Sequence, residues 1–439
     1  MKPFLFIYIL LATLFTNAQG SISGNFSPAK DFKWLIAYEL TPGGERYVTD
    51  TSIKEGTFHL TMPITAQPGM YRLVYAVPQD EFYIDILYNK KEQITFNFSL
   101  EEGINITDSK ENKVYNNYFN AITEAQDQLM EFYEKGNGSK EEFKTRIENL
   151  NYVQKTYEKE SEGTLAHVFV KANKSYTPDQ YEGLERYLKN KKAHHYDYLD
   201  VNNGLLQGSN FLTDKFANYV FSALPLTITS AEQLEQEVIK NINTTVNIIS
   251  STPLSFQVKA IQQLWAIADV NAMSTVADYI FENHLKKLAI ANGNQSLVDE
   301  IAMASRLRLG AVSPDITWQK DNKTYALSTM ENAENYLLIF WSSTCSHCLK
   351  ELPTLHKELK KHPSLKTIAI GLEDNESNWK KVSATLPDFN HAIALGKWES
   401  EYAKTFGIQS TPTYIVLDSE KRILAKPESD KELIDFLEN

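Results

Sequence analysis

The feature that most constrains the fold is a pair of cysteines that directly follows an apolar run. The run YLLIFW at 336–341 has the length of a buried strand, and Cys345 and Cys348 come soon after it. They are the only two cysteines in the 439 residues. Leucines at helical spacing follow the pair and form one apolar stripe. A strand that leads into an amphipathic helix predicts an α/β domain, with the cysteine pair where the helix begins.

The spacing of the cysteines favours reactive thiols over a structural disulfide. A structural disulfide gains stability by closing a long loop, and this pair closes almost none. Cys345 comes at the start of the predicted helix, where unpaired N–H groups and the helix dipole stabilise a thiolate. Because a thiolate is the species that attacks a disulfide, we predict that Cys345 is the nucleophile. Cys348, one turn further along, would then resolve the mixed disulfide.

His347 lies between the two cysteines, and an imidazolium at this place would stabilise the thiolate of Cys345. Stabilising the thiolate favours the reduced dithiol and makes the disulfide more oxidising. The alternative is a solvent-facing histidine without a redox role. A zinc site would need ligands beyond this pair, whereas Cu(I) binding stays open because soft thiolates select that ion. We expect redox chemistry, with no metal and no organic cofactor.

The hydrophobic periodicity changes twice along the chain and predicts three regions after residue 18. Residues 19–105 resemble short strands separated by turns, which is typical of an antiparallel β sandwich. Residues 106–309 have apolar side chains at helical spacing, with breaks at glycine and proline. Residues 310–439 alternate strands with helices and predict an α/β domain with a mixed sheet. The predicted fold class is therefore multidomain α+β.

A histidine-rich stretch in the helical region could suggest a metal site. His194, His195 and Asp197 lie within four residues of each other. Adjacent residues on a helix point about 100° apart, so the two histidines cannot easily share one ion. We interpret this stretch as an exposed polar helix end.

The first 18 residues have the pattern of a cleavable secretory signal. Lys2 precedes an apolar run from Phe4 to Phe15, and small residues end the segment at Ala18. The run is too short to cross a bilayer, and no later segment approaches ~20 apolar residues. We therefore expect a periplasmic protein whose mature chain does not insert into the membrane. The net charge of −12 argues against a nucleic-acid partner.

Residues from about 310 to 439 resemble the TlpA/ResA-type thiol–disulfide oxidoreductases, which are exported proteins with a thioredoxin fold. The matching segments are Ser313-Pro314-Asp315, YLLIFWSSTCSHC, Lys350-Glu351-Leu352-Pro353 and GIQSTPTYIVLD. This resemblance implies reduction of disulfides in substrate proteins, with electrons supplied by a membrane thiol donor. The strands before residue 105 more loosely resemble an accessory β domain that precedes such thioredoxin domains.

The resemblance also implies roles for residues outside the cysteine pair. Pro412, preceded by Thr411, corresponds to a cis proline that faces the cysteines and forms the edge where a substrate strand pairs. Glu373 is the nearest candidate for an acidic proton acceptor beside Cys348, and an exposed acidic loop residue is the alternative. The family usually has tryptophan directly before its first cysteine, and here the nearest is Trp341, which we also assign to substrate binding.

The residues between the cysteines leave the direction of electron flow open. Ser346-His347 resembles the Cys-x-His-Cys of oxidases and isomerases more than the usual reductase pairs. We therefore expect a reductase, with a disulfide oxidase or isomerase as the first alternative. A Cu(I)-binding or redox-sensing binding protein is the alternative from a different class.

Overall fold

The computed structural model describes residues 20–136, 138–320 and 322–438. The predicted signal segment at 1–18 lies outside these ranges. The chain divides into two compact units between Asn292 and Gly293. None of the helices in the described ranges is both long and apolar enough to cross a membrane.

The N-terminal unit begins with a sandwich of two four-stranded sheets, in the orders β4-β1-β7-β8 and β3-β2-β5-β6. β1 and β7 run parallel, whereas the other pairs in the sandwich are antiparallel. Side chains alternate in burial: in β4, Phe58 and Leu60 point into the shared core and His59 points outward. The strands are β1 (Ser21–Ser27), β2 (Trp34–Thr41), β3 (Gly44–Ser52), β4 (Thr57–Thr61), β5 (Gly69–Val74), β6 (Tyr83–Tyr88), β7 (Ile94–Ser99) and β8 (Gly103–Asp108).

Helices follow the sandwich, and the first of them is fastened to it by a buried side chain. Asn112 accepts a hydrogen bond from the Leu87 amide at 2.8 Å and donates one to the Leu87 carbonyl at 2.8 Å. The helices of this unit are α1 (Lys110–Lys135), α2 (Lys140–Glu160), α3 (Ala166–Ala172), α4 (Leu184–Ala193), α5 (Gly204–Gln207), α6 (Phe211–Phe221), α7 (Ala231–Ile249), α8 (Leu254–Val270), α9 (Ser274–Ile280), a π-helical turn (Phe281–Leu285) and α10 (Lys286–Ala291).

The C-terminal unit is built on a mixed five-stranded sheet in the order β13-β12-β11-β14-β15. β11 is parallel to β12 and antiparallel to β14. Its elements are α11 (Gln295–Arg306), β9 (Thr317–Lys320), β10 (Lys323–Ala326), β11 (Asn335–Trp341), α12 (Ser346–Leu359), β12 (Leu365–Glu373), α13 (Glu376–Ser383), β13 (Asn390–Leu395), α14 (Glu401–Thr405), β14 (Thr413–Asp418), β15 (Ile423–Ala425) and α15 (Asp430–Glu438). The predicted order of strands, then helices, then an α/β unit is confirmed.

The histidine-rich stretch does not form a single polar helix end. His194 is exposed and its Nδ1 lies 2.6 Å from Oδ2 of Asp197, as expected of a solvated end. His195 is half-buried, and its Nε2 donates to the Lys215 carbonyl at 3.1 Å, so the prediction was wrong for this residue. Among the described residues, no group of three or more His, Cys, Asp or Glu side chains is placed to hold a metal ion.

Candidate active site

The cysteine pair lies where β11 passes into α12. Cys345 is the N-cap residue of the helix, and its Sγ accepts a hydrogen bond from the Cys348 amide at 3.2 Å. The Cys345 amide donates to the Ser342 carbonyl at 3.1 Å, which closes the turn after the strand. The first N–H groups of a helix have no partner within the helix, so a cap atom that accepts from them is stabilised as an anion. The predicted position of the pair at the helix start is confirmed.

The two thiols have opposite surroundings. Burial raises the pKa of Cys345, but hydrogen bonds with the Cys348 and Thr411 side chains and with the Cys348 and His347 amides lower it, and the net shift is downward. Burial raises the pKa of Cys348 to about 12, and the hydrogen bond with Cys345 acts in the same direction. Cys345 is partly exposed, whereas Cys348 is fully buried. The pair thus combines a reachable thiol with thiolate character and a sheltered thiol that keeps its proton.

Thr411 and Pro412 lie directly opposite Cys345. Its Sγ donates to the Thr411 carbonyl at 3.4 Å, and the Thr411–Pro412 peptide bond is cis. The pairing of β11 with β14 explains this proximity, because it places Thr413 opposite Phe340 near the end of β11. The segment just before β14 therefore meets the turn just after β11. Both Thr411 and Pro412 remain partly exposed, so this edge is open to a second chain.

Glu373 is buried at the end of β12, with only 2% of its surface exposed. One of its carboxylate oxygens accepts a hydrogen bond from the Ser343 amide, and the other accepts from the Ser343 hydroxyl at 2.9 Å. The alternative of an exposed acidic loop residue is therefore wrong, although its neighbours Asp374 and Glu376 are exposed. Glu373 fixes the turn that carries Cys345. In the sequence, the only indication that Ser343 would be the hydrogen-bond partner of Glu373 was that two serines follow the apolar strand.

Trp341 and His347 lie apart from this open edge. Trp341 is fully buried in the same core cluster as Cys348, and its Nε1 has no hydrogen-bond partner among the described residues. In this position its side chain has no surface to offer a substrate. The His347 side chain is exposed, and it is the His347 amide that lowers the pKa of Cys345.

Tyr414 is a neighbour of the buried thiol that the sequence analysis did not single out. It is buried in the cluster of Cys348, and its hydroxyl donates to Oε2 of Glu351 at 3.5 Å. Burial raises its pKa, and the nearby Glu351 and Cys348 add to the shift. The phenol therefore stays protonated beside the thiol. In the sequence, the indication that Tyr414 lies near the cysteines was its place directly after Thr413 in the segment TPTYIVLD.

Comparison with known proteins finds similarity to one family within the C-terminal unit. Residues 333–423 match a family model described as thioredoxin-like. Similar solved structures include the thioredoxin domain of a thiol-disulfide oxidoreductase from Bacteroides vulgatus, 26% identical over 30% of this chain and 96% of that chain, with a TM-score of 0.27. A domain of a possible thiol-disulfide isomerase from Cytophaga hutchinsonii is 28% identical over 30% of this chain and 91% of that chain, with a TM-score of 0.27.

A further solved structure extends beyond the C-terminal unit. A thioredoxin-like protein from Bacteroides caccae is 15% identical and covers 60% of this chain and 96% of its own, with a TM-score of 0.31. No curated protein matches this chain.

The opposite pKa shifts predict different reactivity for the two thiols. In the reduced protein at neutral pH, we expect iodoacetamide to modify Cys345 well before Cys348, because only Cys345 has an accessible thiolate. The alkylation rate of Cys345 should reach half of its maximum at a pH below ~8.5, the pKa of a free cysteine. In the C345S variant, Cys348 should stay unreactive at neutral pH, because its burial, which is the main cause of its raised pKa, remains. The matched control is C348S, and equal rates for the two single-cysteine variants would contradict the geometry.

The burial of Glu373 predicts a cost for its removal. In E373A, the buried amide and hydroxyl of Ser343 lose their acceptors, which should lower the free energy of unfolding by about 1–3 kcal/mol. D374A is the matched control, because its exposed ion pair with Lys397 should contribute at most ~1 kcal/mol. Urea denaturation of the full chain measures both variants. An E373A protein as stable as D374A would contradict the role in fixing the turn.

Proposed function

Because residues 333–423 form a thioredoxin-like domain, we propose that this protein is a thiol–disulfide oxidoreductase that exchanges its Cys345–Cys348 dithiol with disulfides in substrate proteins. One observation carries the proposal. The pKa of the accessible Cys345 is lowered at the helix start, while that of the buried Cys348 is raised to about 12. A nucleophilic thiol next to a thiol that reacts second is the arrangement that disulfide exchange requires.

The proposed reaction transfers two electrons in two exchanges. The Cys345 thiolate attacks one sulfur of the substrate disulfide, the substrate S–S bond breaks, and the other substrate sulfur leaves as a thiolate that takes up a proton. Cys348 then loses its proton and attacks the Cys345 sulfur of the mixed disulfide. That bond breaks and the second substrate thiolate leaves. The substrate ends as a dithiol and the enzyme as the Cys345–Cys348 disulfide, so the substrate is reduced and the enzyme oxidised.

The residues around the pair have distinct proposed roles. The Thr411 carbonyl lies 3.4 Å from Cys345, so Thr411 and Pro412 offer the edge along which the substrate chain would lie during the mixed disulfide. Glu373 holds the turn through Ser343, and its role as proton acceptor for Cys348 stays a prediction. Trp341 supports the site from within the core rather than by contact with substrate.

The proposal also includes a direction of electron flow, a cellular compartment and an electron donor. We expect net reduction of substrate disulfides in the periplasm, after export through the segment at 1–18. Each turnover leaves the enzyme oxidised, so a dithiol donor must restore it, and a membrane thiol transporter would supply those electrons. The supports are the signal pattern and the resemblance of the C-terminal residues to exported oxidoreductases.

Trapping experiments test the mechanism. C345S should lose turnover of a protein disulfide, because the attacking thiolate is gone. C348S should accumulate a mixed disulfide at Cys345, because no second thiol resolves it, and mass spectrometry of the non-reduced adduct should locate the bond. S346A is the matched control, since it changes an exposed residue between the cysteines and leaves both thiols. A wild-type protein that shows no turnover and binds Cu(I) tightly at one equivalent would instead favour the metal-binding alternative.

The reduction potential of the Cys345–Cys348 pair tests the proposed direction of electron flow. We expect a value near thioredoxin's ~−270 mV, and a value near ~−120 mV would support the oxidase alternative. Replacing His347 with Ala should shift the potential by less than about 30 mV, or about 1.4 kcal/mol, because solvent screens an exposed charge. Equilibration with defined thiol–disulfide buffers measures both proteins. A larger shift toward a more reducing value would establish His347 as a residue that stabilises the thiolate.

A further inference from the structure

A cavity of about 660 Å³ lies in the N-terminal unit, where the sequence indicated no site. Helix α1 contributes Tyr115 and Phe119 to its wall, and α6 contributes Phe211 and Lys215. Each of these pairs is four residues apart, so both members lie on the same face of their helix. Lys191, near the end of α4, also lines the cavity. The wall therefore combines aromatic rings with three ammonium groups, those of Lys174, Lys191 and Lys215.

Lys191 and Lys215 have no anionic partner in the part of the chain that the structure describes. Lys192, which follows Lys191 on the same helix, pairs with Glu237 at 2.9 Å. Among the described residues, the Nζ of Lys215 lies over the ring of Phe211, 5.6 Å from its centroid. Burial, together with the charge of Lys191, lowers the pKa of Lys215 to about 8. Burial also lowers the pKa of Lys191. Two like charges thus line the same cavity and act on each other, which costs free energy unless an anion offsets it.

The histidines of the wall do not change this balance. Burial lowers the pKa of His195 to about 4, with the charge of Lys215 as the next cause, so the ring is neutral near pH 7. His194 lies 2.6 Å from the carboxylate of Asp197 and is paired already. Lys174 lies over the ring of Tyr198, with its Nζ 4.7 Å from the centroid.

The two acidic residues of the wall, Asp85 and Asp214, have partners of their own. Asp85 accepts two hydrogen bonds from Arg72, both at 2.9 Å. Burial raises the pKa of Asp214, whereas a hydrogen bond with the Gln263 side chain lowers it, as do the charges of Arg72 and Lys259. Asp85 therefore has a cationic partner, whereas neither Lys191 nor Lys215 has an ion pair with a described carboxylate.

The aromatic wall lies beside the ammonium groups. The ring centroids of Tyr115 and Phe119 are 4.7 Å apart, and those of Phe119 and Phe211 are 6.2 Å apart. Phe211 in turn contacts the ammonium of Lys215. Pockets for small molecules typically combine such an apolar surface with a few polar groups that fix the orientation of the ligand.

We propose that this cavity binds a small organic anion, with its carboxylate or phosphate between Lys191 and Lys215 and an apolar or aromatic body against Tyr115, Phe119 and Phe211. The proposal is independent of the disulfide chemistry at Cys345. It gives the N-terminal unit a ligand-binding role of its own.

Calorimetric titration of the full chain with chosen probes tests the proposal. Phenyl phosphate and benzoate present an anion on an aromatic body, inorganic phosphate lacks that body, and benzyl alcohol lacks the charge. We expect saturable binding of phenyl phosphate or benzoate at one equivalent, and affinities at least about tenfold weaker for inorganic phosphate and benzyl alcohol. Each of K191M and K215M should weaken binding of the anionic probe about tenfold or more, because each removes a hydrogen bond to a charged group.

The control variant is K189M, which removes the same charge from an exposed position on the same helix and should change the affinity less than twofold. Circular dichroism verifies that each variant is folded. Absence of saturable binding of both aromatic anions by the wild-type chain would overturn the proposal, and this outcome does not depend on any variant. Binding that survives in a folded K191M/K215M double variant would also overturn it. Equal affinity for inorganic phosphate and phenyl phosphate would overturn the assignment of the aromatic body.

Discussion

The pairing of β11 with its two neighbours is the constraint on which the cysteine site depends. Leu337, Ile339 and Trp341 point into one core of the C-terminal unit, while Leu338 and Phe340 point into the other. Burial of each such side chain contributes about 1.5–3 kcal/mol, so the register of this strand is strongly specified. The parallel partner β12 then ends at Glu373, and the antiparallel partner β14 begins just after Pro412. One strand thus brings three segments, distant in sequence, to the same edge of the sheet.

The start of α12 gives the two cysteines different reactivity. Cys345 caps α12, and its Sγ accepts a hydrogen bond from the Cys348 amide. Cys348 instead lies under the first turn of the helix, in an apolar cluster with Trp341. Two identical side chains, three residues apart, therefore have pKa values shifted in opposite directions. The difference has a local cause, since one thiol meets unpaired N–H groups and the other meets apolar side chains. Glu373 keeps the turn in place through Ser343, so the site has a rigid support.

The N-terminal unit shows a different use of burial. Near the cysteines, both carboxylate oxygens of the buried Glu373 accept hydrogen bonds, one from the Ser343 amide and one from the Ser343 hydroxyl. In the cavity of the N-terminal unit, Lys191 and Lys215 instead keep positive charge in a confined space without an anionic partner among the described residues. Such an arrangement costs stability by itself, and the proposed anionic ligand would offset that cost.

The sequence alone determined the order of the regions and the position of the cysteine pair at a helix start, because both depend on short-range patterns. The apolar run, the cysteine spacing and the leucine stripe already require a strand, a turn and a helix with Cys345 at its start. Local patterns did not reveal the surroundings of the other residues. Glu373 stands in a stretch of acidic residues that looks exposed, Trp341 looks available to a substrate, and His195 looks like part of a solvated helix end. The tertiary structure decided these cases, because burial and hydrogen-bond partners come from segments distant in sequence: Ser343 for Glu373, the core under α12 for Trp341, and the Lys215 carbonyl for His195.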